Sequence, residues 1–274
     1  MYQASTNGPS EAPVTAGRLR RMKAQGEPIA CLTAYDYALA SAVDAAGVDL
    51  ILVGDSLGMV IQGRDSTIPV TVDDVVYHTR CVAAARPRAL IMADMPFLSY
   101  VDCPQALRNA GRLMQEGGAQ MVKLEGAGGQ VDVVAAMARA GIPVCAHVGL
   151  QPQLVHKLGG YRVQGREADA ADSMVADALA LEAAGADLLL VECVPRALGA
   201  RLAQSLGIPV IGIGAGPECD GQILVLHDML AVTPGHRPRF SRDFLADGGS
   251  IPGALEAYVA AVRAREFPGP EHCF

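Results

Sequence analysis

Tryptophan is absent from the 274-residue sequence, aromatic residues make up only 4% of it, and charged residues only 19%. A core must therefore be filled by Ala, Val, Leu and Ile, which suits a parallel sheet under small-residue helices. Clusters of Lys and Arg are also missing: 22 basic residues are interleaved with 29 acidic ones for a formal charge of -7, so nucleic acid is not an expected partner. No run reaches the roughly 20 apolar residues that a membrane span needs, since even residues 183–194 carry Asp187 and Glu192. A soluble protein is expected. The 7 cysteines form an odd set without a C-x-x-C pair, so reduced and mostly buried thiols are expected. Residues 1–15 have neither a basic start nor an apolar middle, and are expected to be a flexible tail and not an export signal.

What the sequence has in abundance is alternation. Short β-rich apolar runs stand at 28–33, 50–54, 89–94, 119–125, 143–149, 187–193, 209–214 and 223–228, and alanine-rich helical segments separate most of them. Repeated βα units on this scale predict an α/β fold, a (β/α)8 TIM-type barrel in a single catalytic domain spanning residues 16–274. Three helix ends, Ala-Ala-Gly-Val-Asp, Glu-Gly-Gly-Ala-Gln and Ala-Ala-Gly-Ala-Asp, put glycine where a left-handed cap is needed before the next strand. Residues 151–167 are expected to form a loop over the mouth of the barrel, and 233–240 a Pro/Gly-rich connection. An amphipathic helix at 253–265 is expected to dock on a neighbouring subunit.

Barrel strands are buried on both faces, so polar residues at their ends call for a function. They recur here: Asp55 and Ser56 after the second run, Asp94 in the third, Lys123 and Glu125 in the fourth, His147 in the fifth, Glu192 in the sixth, and His227-Asp228 in the eighth. Asp55, Asp94 and Glu125 offer only oxygen donors, which selects a hard cation such as Mg2+ over zinc. Each alone could equally be a helix N-cap. An ammonium at Lys123 needs an anionic partner, either Glu125 or a substrate carboxylate. Glu192 lies in an apolar run, where desolvation would raise its pKa and suit it to proton transfer, or where it could form a structural ion pair. His147 could be a satisfied core histidine. The segment GIGAG at 212–216 could let an anion approach backbone N–H groups.

Written together, LVGDSLGMVIQGRDSTIPVTVDDVVYHT, ADMPF, MVKLEG, GGYRVQGR, ALALEAAGADLLLVECVP and IPVIGIGAGPECDGQILVLHD resemble the ketopantoate hydroxymethyltransferase family over nearly the whole chain. The resemblance implies that Asp55 and Asp94 hold Mg2+, with Glu125 bound to it directly or through water. It implies that Asp55, Ser56, Asp94 and Lys123 contact 3-methyl-2-oxobutanoate, with His147 close by, and that Glu192 is the proton acceptor. The one-carbon donor implied is 5,10-methylenetetrahydrofolate, and the implied setting is a cytoplasmic homodecamer in pantothenate synthesis. Departures from the family pattern are Ala146, Gln151 and Thr233-Pro234-Gly235. The competing readings are another Mg2+ barrel acting on 2-oxo acids, of the phosphoenolpyruvate mutase and isocitrate lyase kind, and a non-catalytic 2-oxo acid binding protein.

Overall fold

The structure, a computed structural model, describes residues 12–235 and 237–274. Parallel strands close on themselves in chain order: β1 (Ile29–Thr33), β2 (Leu50–Val53), β3 (Leu90–Asp94), β4 (Met121–Glu125), β5 (Val144–Gly149), β6 (Leu188–Glu192), β7 (Val210–Ile213) and β8 (Gly221–Leu224), with β8 returning to β1. This is the expected (β/α)8 barrel. The helices Tyr37–Ala45, Val72–Ala83, Cys103–Gln115, Val131–Arg139, Ala168–Ala183 and Arg196–Ser205 lie on the paths out of β1 to β6. Gly47, Gly118 and Gly185 take φ of 87°, 87° and 105°, so the three repeated phrases do end helices in the left-handed conformation.

Strand register decides which side chains meet at the carboxyl rim. Asp94 pairs with Lys123 across β3 and β4, Glu125 with His147 across β4 and β5, and Gly149 with Glu192 across β5 and β6. Gly149, with φ of 91°, is required there, because a Cβ would collide with the Glu192 carbonyl. Cys193, immediately after Glu192, also takes a left-handed φ of 47°, a conformation costly for a non-glycine residue. The chain thus turns sharply away from the strand at Glu192.

Several expectations are corrected. β8 begins at Gly221 and ends at Leu224, whereas His227 and Asp228 fall in a short helix, Leu226–Met229. A Cβ at Gly221 would strike the Ile29 carbonyl, so the closing strand starts on a glycine that an apolar pattern does not mark. Helix Ile251–Arg263 does not keep its apolar face for a neighbour: Leu255, Tyr258 and Val262 are buried, and the Tyr258 hydroxyl lies 2.8 Å from the Cys31 carbonyl and 2.9 Å from that of Gln222. It bridges the β1–β8 seam. A helix that was not expected, Ala16–Gln25, buries Leu19 and Met22 at the amino-terminal end of the barrel, where Lys23 bonds the carbonyls of Ala203 and Ile208 and the carboxylate of Asp220.

Residues 1–11 of the expected tail lie outside the described residues. Val14, near its end, is fully buried and donates its amide to the Arg88 carbonyl at 2.8 Å. All seven cysteines are free, and five are buried. Among the described residues no helix is long and apolar enough to cross a membrane.

Candidate active site

A cavity of about 460 Å3 opens among the strand ends and is lined by Asp55, Ser56, Asp94, Lys123, Glu125, His147 and Glu192. The structure therefore brings together the seven residues that the sequence nominated as catalytic, substrate-binding or metal-binding, whereas His227 does not line the cavity. Asp55 and Asp94 are neighbours, since the Asp55 amide donates to Asp94 Oδ2 at 3.1 Å. Lys123 Nζ donates to Asp94 Oδ1 at 2.6 Å and lies 3.9 Å from Glu125 Oε1, so its principal partner is Asp94 and not Glu125. Ser56 Oγ is held 2.8 Å from the Tyr35 hydroxyl.

None of the three carboxylates caps a helix. That task falls to Asp36, Thr71 and Asp102, whose side chains accept from the amides of Leu39, Asp74 and Gln105. Asp55 and Glu125 instead accept from Gln153, through its side-chain amide at 2.9 Å and its backbone amide at 3.0 Å respectively.

Burial makes this cluster electrostatically unusual, because Asp55, Asp94, Lys123 and Glu125 are each 1–4% exposed. Desolvation, then repulsion from Asp94 and Glu125, pushes the Asp55 carboxyl well above the ordinary range. Asp94 is raised by desolvation and by Glu125, against the pull of Lys123. Desolvation works against the Lys123 ammonium, but attraction from Asp94, Glu125 and Asp55 outweighs it and raises its pKa.

Three carboxylates against one ammonium leave negative charge uncompensated in a buried place. Among the described residues no three His, Cys, Asp or Glu side chains form a ready-made metal cage. The donor chemistry nonetheless fits Mg2+, which prefers oxygen, uses one or two carboxylates and fills its remaining positions with water or substrate oxygens. Asp55, whose backbone amide meets Asp94 Oδ2, and Asp94 itself are the pair that could share such an ion.

His147 stands between two carboxylates, with Nδ1 3.6 Å from Glu125 Oε1 and Nε2 3.4 Å from Glu192 Oε2. Both contacts are longer than good hydrogen bonds. Burial and Lys123 oppose its protonation, yet the two carboxylates prevail and bring its pKa up to about 8. His147 thus lies between the Glu125 and Glu192 carboxylates and is not an isolated core histidine. The Glu192 side chain is 15% exposed, against 2% for His147, so it is more open to the cavity than its apolar run suggests.

The model of the ketopantoate hydroxymethyltransferase family matches residues 13–270. The chain belongs to the ketopantoate hydroxymethyltransferase family. It is therefore an enzyme. Relatives named 3-methyl-2-oxobutanoate hydroxymethyltransferase include one from Alkalilimnicola ehrlichii, 71% identical over 262 residues and covering 96% of this chain and 95% of its own. Another, from Halorhodospira halophila, is 64% identical over 265 residues, covering 97% and 96%. Among solved structures, a phosphonopyruvate hydrolase in complex with oxalate and Mg2+ superposes with a TM-score of 0.62 at 15% identity, covering 92% of this chain and 96% of its own. A 2,3-dimethylmalate lyase superposes with a TM-score of 0.60 at 17% identity, covering 93% and 98%. At such identities these two likenesses show the barrel alone.

Around this cavity, the sequence did not point to Gln153, Tyr35, Tyr161 or Phe240. Tyr161 and Phe240 line the cavity from the two segments marked as irregular, 151–167 and 233–240, which was the available signal. Asp228, from the expected eighth run, lines it too, accepting from Thr233 Oγ1 at 2.6 Å. The glycines of 212–216 do not form an open anion cradle: a Cβ at Gly214 would lie 3.0 Å from the Phe274 ring and 3.1 Å from Phe240. They are there for close packing.

Proposed function

We propose that this enzyme transfers a hydroxymethyl group from 5,10-methylenetetrahydrofolate to 3-methyl-2-oxobutanoate, giving ketopantoate. The observation that carries the reading is the cavity itself, with an anion-rich cluster from β2 to β4 on one side and the Glu192 carboxylate on β6, in a chain 71% identical to a relative of that name. Mg2+, held by Asp55 and Asp94 with Glu125 bound directly or through water, would supply Lewis-acid polarisation of the 2-oxo acid's oxygens.

The chain's own residues do the rest. Lys123, kept protonated by its neighbours, draws in the substrate carboxylate, and Ser56, fixed by Tyr35, orients it beside Asp55 and Asp94. Glu192 takes the proton from the carbon next to the carbonyl. His147, 3.4 Å behind it and with its pKa brought up to about 8 by the two carboxylates, steadies the Glu192 carboxylate before transfer. The carbon that has lost its proton bonds to the methylene carbon of the donor as one of that carbon's two bonds to folate nitrogen breaks; water then supplies the hydroxyl as the second C–N bond breaks, releasing ketopantoate and tetrahydrofolate. The walls from Leu190, Ile213, Ile223 and Phe240 keep bulk water away, and the cavity exceeds what a five-carbon acid needs, leaving room for part of the donor.

Purified protein supplied with Mg2+, 3-methyl-2-oxobutanoate and methylenetetrahydrofolate should release ketopantoate, detectable by mass spectrometry, and release should stop when the donor is omitted. Equal consumption of the 2-oxo acid without the donor would instead favour chemistry of the phosphoenolpyruvate mutase kind. The family resemblance also supports a cytoplasmic homodecamer, which light scattering behind size-exclusion chromatography tests.

A further inference from the structure

Gln153 belongs to the turn Pro152–Leu154, which opens the loop over the cavity, and it is only 2% exposed. A glutamine so deeply buried must satisfy its amide, and this one does so entirely within the site. Nε2 donates to Asp55 Oδ2 at 2.9 Å and to the Met95 carbonyl at 3.0 Å, and Oε1 accepts from the Tyr100 hydroxyl at 2.5 Å. Its backbone amide donates to Glu125 Oε2 at 3.0 Å. One residue therefore ties together a carboxylate just after β2, 98 residues away in the chain, and one at the end of β4.

The orientation of that side-chain amide is fixed by its partners. The Met95 carbonyl can only accept, so a flipped amide would set Oε1 against it and turn the NH2 group toward the Tyr100 hydroxyl. Tyr100 is itself buried, and burial, followed by the nearby Glu125 charge, raises its pKa far above the ordinary phenol value. It is therefore a permanent donor. Gln153 and Glu125 also line an adjoining cavity of about 440 Å3 together with Tyr100, whereas Gln153 takes no part in lining the main one. It reaches the carboxylates from behind.

We infer that Gln153 is a positioning residue of this site, locked by Tyr100, that holds Asp55 and Glu125 in the arrangement that receives the divalent cation and the 2-oxo acid. The Asp55 oxygen that Gln153 leaves alone, Oδ1, has no protein hydrogen bond among the described residues. The same loop carries Tyr161 to the main cavity, so order in the loop and placement of the carboxylates are linked. The inference rests on the reading of the cluster given under Proposed function.

The test is a double-mutant cycle of Gln153→Ala and Tyr100→Phe, read by Mn2+ binding in electron paramagnetic resonance, by calorimetric binding of 3-methyl-2-oxobutanoate, and by kcat and KM. Partners that orient metal ligands are typically worth 10- to 100-fold in affinity or activity. Gln153→Ala should weaken Mn2+ and 2-oxo acid binding by about that factor. Tyr100→Phe should weaken both by a smaller factor, and adding it to Gln153→Ala should change little further, because the side-chain partner of the Tyr100 hydroxyl is Gln153. Gln153→Glu, which keeps the shape but sets a carboxylate against Asp55 and the Met95 carbonyl, should bind Mn2+ no better than the alanine variant. Should Gln153→Ala fail to fold, Tyr100→Phe alone must still lower both affinities. Single variants that bind like wild type, or effects that multiply in the double variant, would overturn the inference while leaving the reading of the site intact. Wild-type protein that bound neither Mn2+ nor the acid would sink that reading together with it.

Discussion

Lys123 is the ammonium on which the buried carboxylates depend. Removing one member of a buried ion pair typically costs about 3–5 kcal/mol, because the other charge is left unpaired. Lys123→Met leaves three carboxylates facing one another, whereas Asp94→Asn still leaves Lys123 with Glu125 at 3.9 Å and relieves repulsion on Asp55. Lys123→Met should therefore be the more destabilising of the two in metal-free protein, costing about 3–5 kcal/mol relative to wild type in denaturant titrations. Equal or reversed losses would mean that the cluster is not short of positive charge. At this scale the sequence was informative wherever a polar residue interrupted an apolar run, as at Asp94, Lys123, Glu125 and Glu192. It was silent on Gln153, which stands in a polar loop like any surface glutamine. Its role comes only from contacts with Asp55 and Tyr100 that no local pattern encodes.

Among the elements, the tightest constraint lies between β5 and β6. Gly149→Ala combines a left-handed φ, costing about 1–2 kcal/mol for a residue with a Cβ, with a clash on the Glu192 carbonyl. The end of β6 must then shift, so kcat should fall by more than the stability loss alone explains while KM for the 2-oxo acid, set on β2 to β4, changes little. Steady-state kinetics beside a melting curve separate the two, and an unchanged kcat would mean that Glu192 is not placed by this contact. Tyr258→Phe should cost about 1 kcal/mol by removing the hydroxyl that bridges β1 and β8. A change below a few tenths of a kcal/mol in chemical denaturation would mean that the bridge contributes nothing to closure of the barrel. Strands were legible because two buried faces demand continuous apolar runs. Helix Ala16–Gln25 was not, because its basic surface leaves only Leu19 and Met22 as a buried pair. Its capping signals, Thr15 before it and Gly26 after it, were nonetheless present.

For the whole molecule, the sign of the pH dependence follows from the raised pKa values. A group held above its unfolded value contributes stability that is present below the unfolded pKa and lost as pH rises through the folded one. For His147 that window runs from about 6.5 to about 8. Asp55 and Asp94, raised from their ordinary value, act in the same direction from about pH 4 upward. His227 and His272, whose pKa values burial lowers, act in the opposite direction near pH 6.5, so the net loss falls to His147 and the two aspartates, and metal-free protein should melt lower at pH 8.5 than at pH 6. Because a cation binds the ionised carboxylates, Mg2+ should raise Tm more at pH 8.5 than at pH 6, by several degrees when the ion is about 100-fold above its Kd. Calorimetry with Mg2+ and with EDTA reads this, and an equal Tm with and without Mg2+ would count against a cation in the cluster.

The most direct test concerns the proton itself. In D2O with Mg2+ and no one-carbon donor, the wild-type enzyme should exchange the C3 hydrogen of 3-methyl-2-oxobutanoate for deuterium, followed by NMR. Glu192→Gln should exchange it about 10²- to 10⁴-fold more slowly while still binding the acid, as loss of a general base implies. Exchange by Glu192→Gln at the wild-type rate would contradict the assignment of the proton acceptor, and with it the division of the site into a cluster that holds the acid and a carboxylate on β6 that activates it.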